Sequence, residues 1–245
     1  LCFYILLEYI RPQGMYPVLD FLPWGQLSII LCVISVFATN SKANGFSALN
    51  KLFVIMTILV ILSAVFAWST DASLKYWTTY TSWVLMYFCI ISILTTPNRI
   101  LLFVIFFAII NFKLSQHGTR TFAMRGFSFV SFGLSGPPGW FKNSGEFAMQ
   151  MVIIFSMTLP VIFAAKKHID SILRWRVLLI LFPGFAALTV IGSSSRGGQL
   201  ALLVVAFIYF MKAKNFIRNM VILCVVLAAG YHFLPEEQLQ RFESA

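Results

Sequence analysis

The stretch Ile191-Gly192-Ser193-Ser194-Ser195-Arg196-Gly197-Gly198 joins two apolar runs. A serine at Ser194 or Ser195 can cap the helix that follows, so that its first N–H groups and positive dipole end face outward. Arg196 adds a fixed positive charge and a forked set of donors at the same place, and Gly197 and Gly198 let a ligand approach the backbone. That combination suits an oxyanion, phosphate above all. A structural reading fits the same residues: Arg196 snorkels at a helix end and the glycines serve helix packing.

A second stretch, Phe141-Lys142-Asn143-Ser144-Gly145-Glu146, opens another apolar run. Asn143 followed three residues later by Glu146 resembles a capping box, which is the structural reading. In a functional reading, Glu146 accepts a hydrogen bond from a sugar hydroxyl or holds an arginine in place, with Arg120 and Arg125 of the preceding loop as the natural partners. Lys142 adds a further cation beside it. His117, His168 and His232 have no partner at metal-ligand spacing, and Cys2, Cys32, Cys89 and Cys224 stand singly with no C-x-x-C pair. No Gly-rich nucleotide motif occurs. Neither a metal nor a cofactor is expected.

The elements that carry these residues must sit in lipid. Of 245 residues, 60% are hydrophobic and only 11% charged, whereas soluble domains carry roughly a quarter charged residues. Mean hydropathy is +0.87. Runs such as 52–67 lack the alternation of a barrel strand, so helices remain as the way to satisfy the backbone in hydrocarbon. The expected fold is all-α, a polytopic transmembrane helix bundle of about nine spans, each crossing roughly 30 Å. The segments are 1–10, 21–38, 49–68, 76–94, 100–112, 147–165, 177–191, 197–211 and 220–234, forming a single transmembrane domain over 1–245.

Loop charges set the orientation. Lys42, Lys51, Arg99, Lys166, Lys167, Arg174, Arg176, Lys212, Lys214 and Arg218 stand against Asp170 alone, so their loops are expected in the cytoplasm. The other loops mix basic and acidic residues and face outward, with the N-terminus cytoplasmic. The net charge of +10 therefore reads as a topology signal, and no nucleic-acid partner is expected. The outer segment 113–146 is the exception, because Lys113, Arg120, Arg125 and Lys142 face only Glu146. Those charges are either merely solvated or directed at an anionic group outside the membrane. Within that segment, the apolar and aromatic residues 127–134, followed by Gly136-Pro137-Pro138-Gly139-Trp140, suit the lipid–water interface.

Ser195-Arg196-Gly197-Gly198, after a helix ending Thr189-Val190-Ile191-Gly192, resembles the serine-arginine-glycine signature of the bacterial O-antigen ligase and polymerase superfamily. Glu8-Tyr9-Ile10-Arg11-Pro12-Gln13-Gly14 with Leu22-Pro23-Trp24, and the stretch from Gly136 to Glu146, look like its exosortase- or exopolysaccharide-associated subgroup. The resemblance covers most of the chain, and only the arginine signature is specific. It implies a GT-C-like glycosyltransferase of the bacterial inner membrane with a periplasmic active site. Such enzymes move a glycan from undecaprenyl pyrophosphate onto lipid A core, polysaccharide or protein. The resemblance implies Arg196 as the catalytic residue, with Arg120 and Arg125 as further outer-loop arginines at the pyrophosphate; on the reading of the residues themselves, Lys142, Glu146, Ser195 and Gly197 are expected to bind pyrophosphate or glycan beside them. A polymerase of the same superfamily, or a transporter of lipid-linked glycan intermediates, is the alternative. Family members carry a large periplasmic loop after the helix matching 220–234, with a histidine proposed to activate the acceptor. Residues 235–245 match only the start of that loop, so a C-terminal truncation that lacks the base is expected.

Overall fold

The structure is a computed structural model, and it describes residues 1–38, 47–129, 133–137, 141–165 and 171–212, with Arg218 and Val221. The expected segment 220–234 apart from Val221, the tail 235–245, His168 and His232 lie outside the described residues, as do positions 130–132 and 138–140 of the interfacial stretch.

Every element among the described residues is helical. The chain divides into two compact units, Leu1–Phe107 and Ala108–Ala245. The first holds α1 (Cys2–Tyr9), the short α2 (Pro12–Met15), a 3-10 turn at Pro17–Leu19, α3 (Trp24–Ala38), α4 (Ala48–Val65), α5 (Thr70–Ile93) and the start of α6 (Pro97–Met124). The second holds the rest of α6, then α7 (Ser144–Ala165), α8 (Ile172–Leu179), a π-helical turn at Ile180–Gly184, α9 (Phe185–Gly192) and α10 (Arg196–Lys212).

Three of these helices, α4, α6 and α7, are long and apolar enough to cross a membrane. In α4 the apolar residues Leu49, Leu52, Ile55, Met56, Leu59, Leu62 and Val65 are all exposed around the helix. A helix with so many exposed apolar side chains and so little buried suits lipid, since in water each such side chain would forfeit about 1.5–3 kcal/mol of available burial.

The first unit is held by α5, which packs on both α3 and α4. Cys32 of α3 and Met86 and Cys89 of α5 are buried. Ser47 caps α4 through the N–H of Asn50 at 3.3 Å, and the Asn50 side chain accepts a hydrogen bond from the Tyr87 hydroxyl.

In the second unit α7 is the central helix, with Phe147, Ala148, Met151 and Ile154 fully buried. Burying apolar residues against apolar neighbours gives little drive when the surroundings are lipid, so small residues and hydrogen bonds hold such helices together. Gly118 of α6 lies against Thr189 of α9, where an added Cβ would come within 2.3 Å of a Thr189 methyl. At that close approach the Thr189 hydroxyl donates to the Ser115 carbonyl at 2.9 Å, and Thr119 donates to the Phe185 carbonyl at 2.9 Å. Gln150 of α7 donates to Asn111 of α6 at 2.8 Å.

Pro160 lies inside α7 and cannot donate to the carbonyl of Ser156, which would normally receive its N–H. The Tyr209 hydroxyl of α10 fills that place at 2.8 Å. A second proline, Pro183, falls in the π-helical turn, the kind of irregularity by which a helix accommodates a lost donor.

The largest boundary difference from the sequence expectation lies at the end of α6. α6 runs through Lys113 and Arg120 to Met124, well into the segment read as a loop. The reason is a change of pattern rather than an end of helix. Leu114, Ser115, Gly118 and Phe122 form a buried face, while Lys113, Gln116, His117 and Arg120 point outward. Hydropathy therefore falls at Lys113 although the helix continues.

Candidate anion site

Two helices of the second unit begin side by side. At the start of α7, the Asn143 side chain accepts the N–H of Gly145 at 2.8 Å, and the Asn143 carbonyl accepts the N–H of Phe147 at 3.1 Å. Glu146 sits in the first turn, where a carboxylate favours the helix dipole. Among the described residues no hydrogen bond returns from the Asn143 N–H to Glu146, so half of the capping box is present.

At the start of α10, Ser195 is the capping serine: its hydroxyl accepts the N–H of Gly198 at 3.3 Å. Ser193, fully buried, braces the turn by accepting the N–H of Ser195 at 3.3 Å and donating to the Val190 carbonyl at 2.6 Å. Between them Ser194 takes a left-handed conformation with φ of 54°, and its buried hydroxyl oxygen has no hydrogen-bond partner among the described residues.

Gly198 brings the two starts together. A Cβ at Gly198 would lie 2.5 Å from the Cβ of Ala148, and one at Gly145 would lie 3.7 Å from the Ser195 hydroxyl. Two sets of helix-terminal N–H groups, each with its positive dipole end, therefore open at one place. Gly197 is different from Gly198, since a Cβ there would meet nothing within 4 Å. Packing does not require glycine at Gly197, whereas it does at Gly198. The two readings of the glycine pair thus divide between them.

A third segment closes on this end. Gly133, with φ of 65°, rests on the Ser193 carbonyl, and an added Cβ would be 3.0 Å from the Cβ of Ser144. Arg125, just past the end of α6, donates from Nη1 to the Gly133 carbonyl at 3.2 Å, which ties a guanidinium to the segment lying against both helix starts. Arg196 is the first residue of α10 and is exposed, as are Lys142 and Glu146. Arg120 is exposed on α6 and makes no hydrogen bond or ion pair among the described residues. Neither Arg120 nor Arg125 forms an ion pair with Glu146 among those residues.

The electrostatics run against helix stability. A cation at a helix N-terminus opposes the dipole, by about 0.3–1 kcal/mol at an exposed site. Arg196 occupies that position in α10, and Lys142 directly precedes the cap of α7. Positive charge placed where the backbone is already positive is suited to an anion that would offset both.

Sequence reasoning missed Gly133 and the bracing role of Ser193. Gly133 gives only a weak local signal, a glycine closing an aromatic run, and its partner lies far along the chain. No family model, curated protein or solved structure matches the chain.

Proposed function

We propose that the protein is a glycosyltransferase of the bacterial inner membrane that ligates a glycan from undecaprenyl pyrophosphate to an acceptor on the periplasmic side. The observation that supports this reading is the pair of helix starts at Asn143 and Ser195, opening together beside the exposed Arg196 and the unobstructed Gly197. In the reaction, an acceptor hydroxyl bonds to the anomeric carbon, the bond from that carbon to the pyrophosphate oxygen breaks, and the hydroxyl proton passes to a base. Negative charge grows on the departing pyrophosphate. Donors held in place before the reaction stabilise that charge without reorganising. Arg196 takes this role, and Ser195 and Gly197 present the backbone N–H groups. Arg125 and Lys142 add charge from the neighbouring segment, while Arg120 and Glu146 contact the glycan. The acceptor is lipid A core, a polysaccharide or a protein.

The reading includes a bundle of nine spans in a GT-C-like arrangement with a cytoplasmic N-terminus. Positive-inside charge and the resemblance of the Ser195–Gly198 signature support it. The test is transfer of glycan from an undecaprenyl pyrophosphate donor to added acceptor lipid, in membranes holding the complete protein. Wild type is expected to transfer and Arg196→Ala to lose transfer while still inserting. Normal transfer by Arg196→Ala would overturn the proposal.

A further inference from the structure

The first unit carries a groove that the anion site does not use. It runs between the end of α4 and the first half of α5, with a volume of about 310 Å³, at the lower end of the roughly 300–1,000 Å³ usual for small-ligand sites. Ser63 and Ala64 make a low wall on α4. Facing them, Tyr76, Trp77, Tyr80 and Trp83 follow helical spacing along one face of α5. Trp77 and Tyr80 lie 6.1 Å apart with their planes tilted by 35°, so two of the four rings neighbour each other along this wall.

The polar groups of this groove narrow what it can hold. The hydroxyls of Ser63, Ser73 and Thr79 and the indole N–H of Trp77 make no hydrogen bond among the described residues. Among the described residues, no charged residue lines the groove. A phosphate or carboxylate would find no counter-charge there. A hydrocarbon tail would cover the rings but leave the hydroxyls and the indole N–H facing apolar matter, at about 1–3 kcal/mol for each group stranded. α5 also departs from its neighbour in composition. It is 24 residues long, yet it is not among the three helices apolar enough to cross a membrane, because its first half is rich in Thr, Ser and aromatic residues. A pyranose ring meets all of these conditions, since its C–H faces pack on aromatic rings and its edge hydroxyls both donate and accept.

We infer that the groove between α4 and α5 binds neutral sugar rings, stacked on Trp77 and Tyr76 and hydrogen-bonded by Ser63, Ser73 and Thr79. On the orientation that the loop charges predict, this end of α4 faces away from the cytoplasm. The inference does not depend on the anion site. Equilibrium binding of radiolabelled maltotriose and of chitotriose to the full chain in phosphatidylcholine nanodiscs tests it. At least one of these sugars binds saturably, and Trp77→Ala weakens binding about tenfold, the equivalent of one aromatic contact. Trp77→Phe, which keeps a ring and is safer for folding, weakens it less. Trp68→Ala, on a fully exposed tryptophan outside the groove, leaves binding unchanged. Absence of saturable binding by both sugars overturns the inference, and so does binding that Trp77→Ala leaves intact. Fluorescence quenching of Trp77 by acyl-chain-brominated phosphatidylcholine that neither sugar relieves overturns it as well, and assigns the groove to a lipid tail.

Discussion

The hydroxyl of Tyr209 donates to the carbonyl of Ser156, the carbonyl that Pro160 leaves without its helical donor, at 2.8 Å. A proline thus creates a free acceptor in the middle of α7, and a tyrosine on α10 uses it to join the two helices. This join matters for the anion site because the same pair of helices presents it at its start. Tyr209→Phe is expected to lower stability by about 1–3 kcal/mol, the range for a carbonyl left unpaired away from water. In Pro160→Ala the helix recovers its own donor, so Tyr209→Phe on that background should have a smaller effect. Thermal unfolding of the four purified proteins in detergent measures the coupling, and strictly additive effects would show that the two residues act separately.

Gly133 makes a different prediction. A Cβ there would lie 1.8 Å from the Ser193 carbonyl oxygen, and φ is already 65°. Gly133→Ala is expected to destabilise by about 1–3 kcal/mol, since a backbone atom cannot swing aside as a side chain can. Gly126 has the same φ of 65° with nothing within 4 Å, so Gly126→Ala should show only the conformational cost of about 1 kcal/mol. Comparing their melting temperatures separates crowding from conformation. The Gly133 variant should also release Arg125, whose hydrogen bond is to the Gly133 carbonyl.

These contacts show what a linear reading captures. α4 and α7 were legible because unbroken apolar runs are bounded by residues that cap: Ser47 and Asn143 both accept N–H groups as their types predict. The Ser195–Gly198 stretch was legible because cap, charge and glycines are adjacent. The continuation of α6 past Phe112 was hidden by the outward Lys113, Gln116, His117 and Arg120, which lower hydropathy without breaking the helix. Gly133 on Ser193 and Gly198 on Ala148 were not legible at all. Each joins residues far apart in the chain, and a glycine's sequence context does not reveal which neighbour excludes a side chain.

Ser194 offers a gain in stability. It holds φ of 54° at the turn into α10, and its buried oxygen lacks a hydrogen-bond partner among the described residues. Glycine adopts that conformation freely and carries no polar atom to satisfy. Ser194→Gly should therefore raise stability by about 1 kcal/mol, from relief of the left-handed conformation. A lower melting temperature would show that the Ser194 side chain contributes contacts of its own.

The neighbouring glycines should respond oppositely to one substitution. Gly198→Ala pushes a methyl to 2.5 Å from the Ala148 Cβ and is expected to cost about 1–3 kcal/mol by prising α10 from α7. Gly197→Ala enters open space and replaces a poor helix former with a good one, so stability should hold or rise slightly. Its methyl stands beside the N–H groups that an anion would approach, so glycan transfer should fall although the fold is intact. A Gly197→Ala protein with full transfer would show that no ligand comes close to the backbone there.

Arg196 distinguishes a site from a scaffold most directly, because helix stability and the proposed role make opposite demands on it. At the first position of α10 its charge opposes the helix dipole, so Arg196→Gln should leave stability unchanged or raise it by about 0.3–1 kcal/mol. If the guanidinium meets a departing pyrophosphate, the same change should reduce transfer by about 100- to 1,000-fold, the usual effect of losing one donor to a developing anion. Arg196→Lys keeps the charge but not the fork, and it should recover part of that loss. Melting temperature and transfer rate measured on the same preparations decide the matter. A variant that is less stable and still transfers normally would make Arg196 a structural residue, and the helix starts at Asn143 and Ser195 would then need another explanation for their shared positive end.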